Sequence, residues 1–104
     1  AVTIEDFLKE KVNDNICLKD IVSHMSLSAT YLKELFKKNY SVSIMKYYRT
    51  LRIENAKQLI RESSLTFTEI AEQMNYTSIH YFSKQFKDCV GMTPTEYAKS
   101  LVHF

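Results

Sequence analysis

Apolar side chains recur along almost the whole chain at the i, i+3, i+4 spacing that gathers them on one side of an α-helix. Ile4, Phe7, Leu8 and the Lys11–Val12 pair predict a first helix, with Thr3 and Asp6 as its capping box. Leu18, Ile21, Val22 and Met25 predict a short second one. Ser28 is placed to cap a third, whose expected apolar face is Tyr31, Leu32, Leu35 and Phe36. Ser43 can cap a fourth, in which Ile44, Tyr47, Tyr48, Leu51, Asn55–Ala56, Leu59 and Ile60 keep the rhythm for about twenty residues, roughly 30 Å of helix. Thr66 and Glu69 then open a short helix through Phe67, Ile70, Ala71 and Met74. Ser78 starts another, with Tyr81, Phe82 and Phe86 on one face. Thr93-Pro94-Thr95-Glu96 joins an N-cap, a proline at the first helical position and a glutamate at the third, the strongest helix start in the chain.

The second half of this pattern repeats the first. At an offset of 49, Asp20, Ile21, Met25 and Leu27 match Glu69, Ile70, Met74 and Tyr76. At an offset of 50, Ser28, Tyr31, Leu32, Phe36, Lys37, Ser43 and Tyr47 match Ser78, Tyr81, Phe82, Phe86, Lys87, Thr93 and Tyr97. The change of offset means one extra residue between the two helices of the second copy, where a turn tolerates it. Two units of short helix, turn and longer helix are thus expected, joined by one long helix. The fold class is all-α with about seven helices: a first subdomain over about 1–42, a linker helix over about 43–62 and a second subdomain over about 63–104.

Composition narrows this further. The 104 residues contain one glycine, Gly91, and one proline, Pro94. Folds that need several glycines, such as a β-sandwich, a dinucleotide fold or a phosphate-cradling loop, are therefore not expected. Cys17 and Cys89 stand 72 residues apart, with no companion histidine at metal-ligand spacing, and read as two reduced thiols of a cytoplasmic protein. No apolar run approaches the ~18 residues of a membrane span, and no signal peptide is visible. The first residue is Ala1 rather than methionine, so a trimmed fragment is expected. No catalytic constellation and no cofactor loop stands out, so neither an enzyme nor a cofactor is expected.

Net charge is only +2, but it is unevenly spread. Residues 1–30 carry three bases against five acids, and residues 62–104 carry the same. Between them, Lys33, Lys37, Lys38, Lys46, Arg49, Arg52, Lys57 and Arg61 face only Glu34 and Glu54, a local net of +6. Such a block fits a polyanion partner, and equally a solvated helix face. The outline of each unit is that of a helix-turn-helix, whose second helix lies in a DNA major groove. Its outward face mixes hydrogen-bonding side chains, which base edges need, with lysines, which phosphates need. The rival reading is a helical protein–protein adaptor whose basic face meets an acidic partner.

The residues resemble the AraC/XylS group of bacterial transcription regulators from about Leu18 to Tyr97. The resemblance rests on Tyr31-Leu32-Lys33-Glu34-Leu35-Phe36-Lys37-Lys38, on the stretch Tyr48 to Ala56, and on Glu69-Ile70-Ala71-Glu72-Gln73-Met74. Most specific is Tyr81-Phe82-Ser83-Lys84-Gln85-Phe86-Lys87 followed by Gly91-Met92-Thr93-Pro94-Thr95-Glu96-Tyr97. The stretch Tyr76–Lys87 looks most like the output domains that follow an N-terminal receiver. The resemblance implies two recognition helices, about 28–39 and 78–89, reading successive major-groove segments of double-stranded DNA. The long helix, roughly 30 Å, would set them about one DNA turn apart. Carried over by position, the base-reading residues are Thr30, Lys33, Glu34, Ile79, His80, Ser83 and Lys84. The phosphate contacts are Ser28, Lys37, Lys38, Arg49, Thr77, Ser78 and Lys87. The implied partners are RNA polymerase and a preceding sensor or receiver domain; the isolated domain is expected to be monomeric.

The chain departs from the family pattern in places. Val22 stands where a small alanine is usual, and Ser26, Ser41 and Asn75 replace turn glycines. Serine is costlier than asparagine in a left-handed turn. Cys17 stands where Thr66 caps in the second copy, so the first short helix is expected to lack a side-chain cap and its subdomain to be the less rigid. Tyr31, Tyr81, Met25, Met74 and Met92 are expected in the core; His24 and His103 are expected at the surface. Glu34 is suited either to a cytosine amino group or to Lys37 and Lys38.

Overall fold

The computed structural model describes residues 3–101 of the chain, which leaves His103 outside the described residues. Seven helices follow one another: α1 (Ile4–Glu10), α2 (Leu18–Met25), α3 (Ala29–Tyr40), α4 (Ile44–Glu62), α5 (Phe67–Gln73), α6 (Ile79–Val90) and α7 (Pro94–Ser100). None among the described residues is long and apolar enough to cross a membrane. The chain divides into two units, residues 1–51 and 52–104, and the division falls inside α4.

The helix starts follow from local capping chemistry. Ser28 and Ser78 accept the N–H groups of Tyr31 and Tyr81 at 3.2 and 3.0 Å, and Ser43 accepts that of Lys46 at 3.1 Å. Thr66 with Glu69 and Thr93 with Glu96 form reciprocal capping boxes. In both, backbone N–H groups on the carboxylate hold the glutamate below the usual range. Thr3 accepts the Asp6 N–H at 3.1 Å, and α1 ends at Glu10, ahead of the expected Lys11–Val12 pair.

As expected, the Cys17 side chain makes no cap hydrogen bond to α2, but the start of the helix is closed from within. Asp20 reaches back and accepts both the Cys17 N–H at 2.9 Å and the Cys17 thiol at 3.2 Å. The carboxylate supplies what the sulfur cannot, and these bonds hold Asp20 below the usual aspartate range. Cys17-x-x-Asp20 has capping-box spacing, so the signal was present in the sequence.

The repeat extends to the element boundaries. α3 and α6 both have 12 residues and start 50 residues apart, as do α4 and α7, while α2 and α5 start 49 apart. Each unit has its own core. In the first, Phe7 and Leu8 of α1, Ile21 of α2, Leu32 and Phe36 of α3, and Ile44 and Tyr48 of α4 pack together. In the second, Ile53 and Ala56 of α4 meet Ile70, Ala71, Met74, Tyr76, Phe82, Phe86 and Tyr97. Met74 is fully buried, whereas Met25, Met45 and Met92 are partly buried against these cores.

Tyr48 does more than fill space. Its hydroxyl donates to the Lys11 carbonyl at 2.6 Å and accepts the Ile16 N–H at 3.2 Å, pinning the α1–α2 connection from both ends. His24 is exposed, as expected, and its ring stacks on Phe7 at 4.0 Å. Cys17 and Cys89 are exposed thiols.

The turns use left-handed backbone at matched positions, Ser26 (φ 56°) and Asn75 (φ 60°) after the short helices, Ser41 (φ 62°) and Gly91 (φ 87°) after the longer ones. A side chain in this region costs ~1–2 kcal/mol, and glycine returns ~0.5–1 kcal/mol of that through its freer unfolded chain. Ser26→Gly and Ser41→Gly are each expected to stabilise the protein by about 0.5–1 kcal/mol, measured as a higher urea midpoint at unchanged slope. A lowered midpoint in both would refute the assignment of strain to these serines.

Candidate nucleic-acid interface

Burial of two side chains one turn apart fixes which face each longer helix offers to solvent. Leu32 and Phe36 anchor α3 inward in the first unit, and Phe82 and Phe86 anchor α6 in the second. The first unit therefore leaves Thr30, Lys33, Glu34, Lys37 and Lys38 exposed along α3, with Arg49 exposed on α4. In the second unit His80, Lys84 and Lys87 are exposed on α6, Thr77 is exposed in the preceding turn, and Ser83 is half-buried. Ser28 and Ser78 are exposed at the helix starts with their oxygens already accepting a cap bond. Each hydroxyl still has its hydrogen to donate.

Three expectations change. Ile79, expected outward, is half-buried and packs against the second core, because it lies toward the Phe82 side of the helix. Tyr31 and Tyr81, expected inside, are 53% and 48% exposed. Each directly precedes the buried anchor, and one residue of helix turns it about 100° away from the core. Tyr81 meets the Tyr76 ring at 6.0 Å with its other side open.

The third change concerns the basic block. Of its eight cations, Arg52 is 2% exposed in the second core, where Nη1 donates to the Met74 carbonyl at 3.0 Å. Its guanidinium lies over the Tyr76 ring at 4.3 Å. Burial raises the Tyr76 hydroxyl, with the Arg52 charge working against that shift. Arg61 donates to the Tyr97 hydroxyl at 2.8 Å, a bond that holds its own pKa up. Lys57 pairs with Glu54 at 3.4 Å and sits over the Tyr97 ring at 5.6 Å. The five others, Lys33, Lys37, Lys38, Lys46 and Arg49, are exposed on the first unit. Most of the block's exposed charge is thus on the first unit; in the second, Arg52 is buried, Lys57 is half-buried and Arg61 is exposed but bonded to Tyr97.

A short helix, a left-handed turn and a twelve-residue helix with a polar and basic outer face, present twice, define an all-α helix-turn-helix protein. Comparison with known proteins agrees. A family model described as a helix-turn-helix domain matches residues 21–100. The raffinose operon transcriptional regulatory protein RafR of Pediococcus pentosaceus is 34% identical over 95 residues, 91% of this chain and 34% of that protein. The C-terminal domain of the two-component response regulator yesN from Fusobacterium nucleatum superposes with a TM-score of 0.85 at 32% identity, over 91% of this chain and 93% of that one. The DNA-binding domain of AdpA, solved with a target DNA, shares the fold at a TM-score of 0.85 and 15% identity, over 93% of this chain and 87% of that one. The chain belongs to the AraC-type helix-turn-helix family. It spans about a third of the length of the curated relatives it matches.

The exposure of Tyr31 has a direct check. Tyr31→Ala is expected to change stability by less than about 0.5 kcal/mol, against ~3–5 kcal/mol lost in Phe36→Ala, in parallel urea titrations. Comparable losses would return Tyr31 to the core.

Proposed function

We propose that this chain is the sequence-specific duplex-DNA-binding part of a bacterial transcription regulator. α3 and α6 act as recognition helices in successive major-groove segments. The observation that carries this reading is the duplicated face, in which a serine-capped twelve-residue helix presents hydrogen-bonding side chains and lysines on the side opposite its two buried anchors. The raffinose operon regulator and the AdpA domain with its target DNA support the same reading by kinship and by fold.

Thr30, Lys33 and Glu34 then read bases in the first segment, and His80, Ser83 and Lys84 in the second, where Ile79 contributes its exposed edge. Ser28 and Ser78 donate their remaining hydroxyl hydrogen to phosphates at the positive ends of α3 and α6. Thr77, Lys37, Lys38, Arg49 and Lys87 complete the phosphate contacts. The protein binds rather than catalyses, and it works in the cytoplasm. Its partners beyond DNA are RNA polymerase and an N-terminal sensor or receiver domain, the latter supported by the likeness to a response-regulator C-terminal domain. The isolated domain is monomeric.

Selection from a random duplex pool at fixed, near-physiological salt tests the reading. Two short motifs about 10 base pairs apart are expected. An unenriched pool with no salt-sensitive binding would overturn DNA binding and favour the adaptor. On the selected duplex, Lys84→Ala is expected to lose ~1–3 kcal/mol and to relax preference at one base position. Lys37→Ala should weaken every duplex alike and reduce the salt slope by about one unit. Equal, sequence-independent losses in both variants would refute the division into base and phosphate contacts.

A further inference from the structure

The second unit holds its recognition helix by directional bonds that the first does not have at the same positions. Arg52 is a charged side chain buried in the second core. A guanidinium so placed needs partners around it. Its Nη1 bond to the Met74 carbonyl and its position over the Tyr76 ring grip the residues on either side of Asn75, the left-handed residue of the turn. Tyr76 carries that constraint into α6. Its hydroxyl donates to Gln85 Oε1, and its ring meets Phe82 edge-on at 5.1 Å and Tyr81 at 6.0 Å. Its own N–H closes the end of α5 onto the Ala71 carbonyl at 2.9 Å.

In the first unit, Leu27 stands at the position of Tyr76 and Leu35 at that of Gln85, by the offsets of 49 and 50. Leucines at these two positions offer no directional bond between turn and helix; α3 is held instead toward its C-terminal end, where Tyr40 donates to Glu5 Oε2 at 2.9 Å and Phe36 meets the Tyr47 ring at 5.1 Å. The hydrogen bond and ring contacts of Tyr76 instead restrain the rotation of α6 from its own turn. The difference bears on binding, because base-edge hydrogen bonds tolerate little misorientation whereas attraction to phosphates falls off slowly with distance. The first unit carries five exposed cations of the basic block, well suited to the less exacting task.

We infer that Arg52 is a positioning residue which, through Met74 and Tyr76, fixes the rotational setting of α6, so that the second unit supplies the larger share of base discrimination. This rests on the DNA reading proposed above. Arg52 itself touches no DNA and adds no phosphate contact.

The test repeats the duplex selection with Arg52→Met, Arg52→Lys, Tyr76→Phe and Tyr48→Phe beside the wild type, each first shown to unfold cooperatively in urea. The motif read by α6 is identified as the one whose preference Lys84→Ala relaxes. Arg52→Met should flatten discrimination within that motif by about tenfold while leaving the other motif and the salt slope as in the wild type. Arg52→Lys keeps the charge but not the planar stack, and should recover only part of the loss. Tyr76→Phe keeps the ring beneath Arg52 and loses the bond to Gln85, so it too should weaken that motif alone. It stands in should Arg52→Met fail to fold. Tyr48→Phe breaks a buried bond in the first unit and should leave the α6 motif unchanged. Flattening of both motifs together, or of neither, in Arg52→Met and Tyr76→Phe would overturn the inference. Equal effects of Tyr48→Phe and Tyr76→Phe on the α6 motif would also overturn it, since the cause would then be general loss of stability. A wild-type domain that enriches nothing would instead bring down the DNA reading and this inference with it.

Discussion

Everything exposed on the two longer helices is decided by two buried residues in each, one turn apart. Leu32 and Phe36, and their counterparts Phe82 and Phe86, lose all or nearly all contact with water. Burial of such side chains is worth ~1.5–3 kcal/mol apiece, more than any surface interaction of the same helices can return. The anchors therefore set which face of each helix turns inward, and finer control of its angle is left to directional contacts such as those of Tyr76. The polar and basic residues take the positions left over. Charge and hydrogen-bonding chemistry on α3 and α6 can vary without disturbing the fold, because they occupy a face that the core does not use.

The two units apply this constraint with different supporting parts. The first is closed by a buried tyrosine hydroxyl that joins both ends of the α1–α2 connection, and by an aspartate that caps α2 from within. The second is closed by a buried arginine, two complete capping boxes and a glycine at the end of α6. Of the cations in the basic stretch, Arg52 is buried in the second unit and Lys57 and Arg61 lie against Tyr97, while five are exposed on the first. A duplicated architecture thus carries two unlike electrostatic characters.

Much of this was legible in the sequence where the governing physics is local. Caps at Ser28, Ser78, Thr66 and Thr93 were found because a side chain and an N–H two or three residues away decide them. The repeat was found because its anchors and caps recur at fixed offsets. What escaped depends on neighbours distant along the chain or on a fraction of a helical turn. Tyr31 and Tyr81 share the apolar label of the residues that follow them, yet 100° of rotation moves them to the surface. Arg52 looks in sequence like its neighbour Arg49, and only the Met74 carbonyl and the Tyr76 ring, more than twenty residues away, make its burial tolerable. That the polar and basic residues of α3 and α6 lie mostly on exposed faces was legible from the helical phase of the buried anchors.

The boundary between the two units falls within the helix α4, which gives eight of its residues to the first and eleven to the second. Isolated helices shorter than ~12–15 residues are marginal in water, since the cost of starting a helix is met by few bonds. Neither portion would hold its shape alone. Once one core has formed and ordered its portion, the other grows from an existing helical end, without a new nucleus. The two units are therefore kinetically linked through a shared backbone, and the order in which they fold is written into which half of α4 is stabilised first.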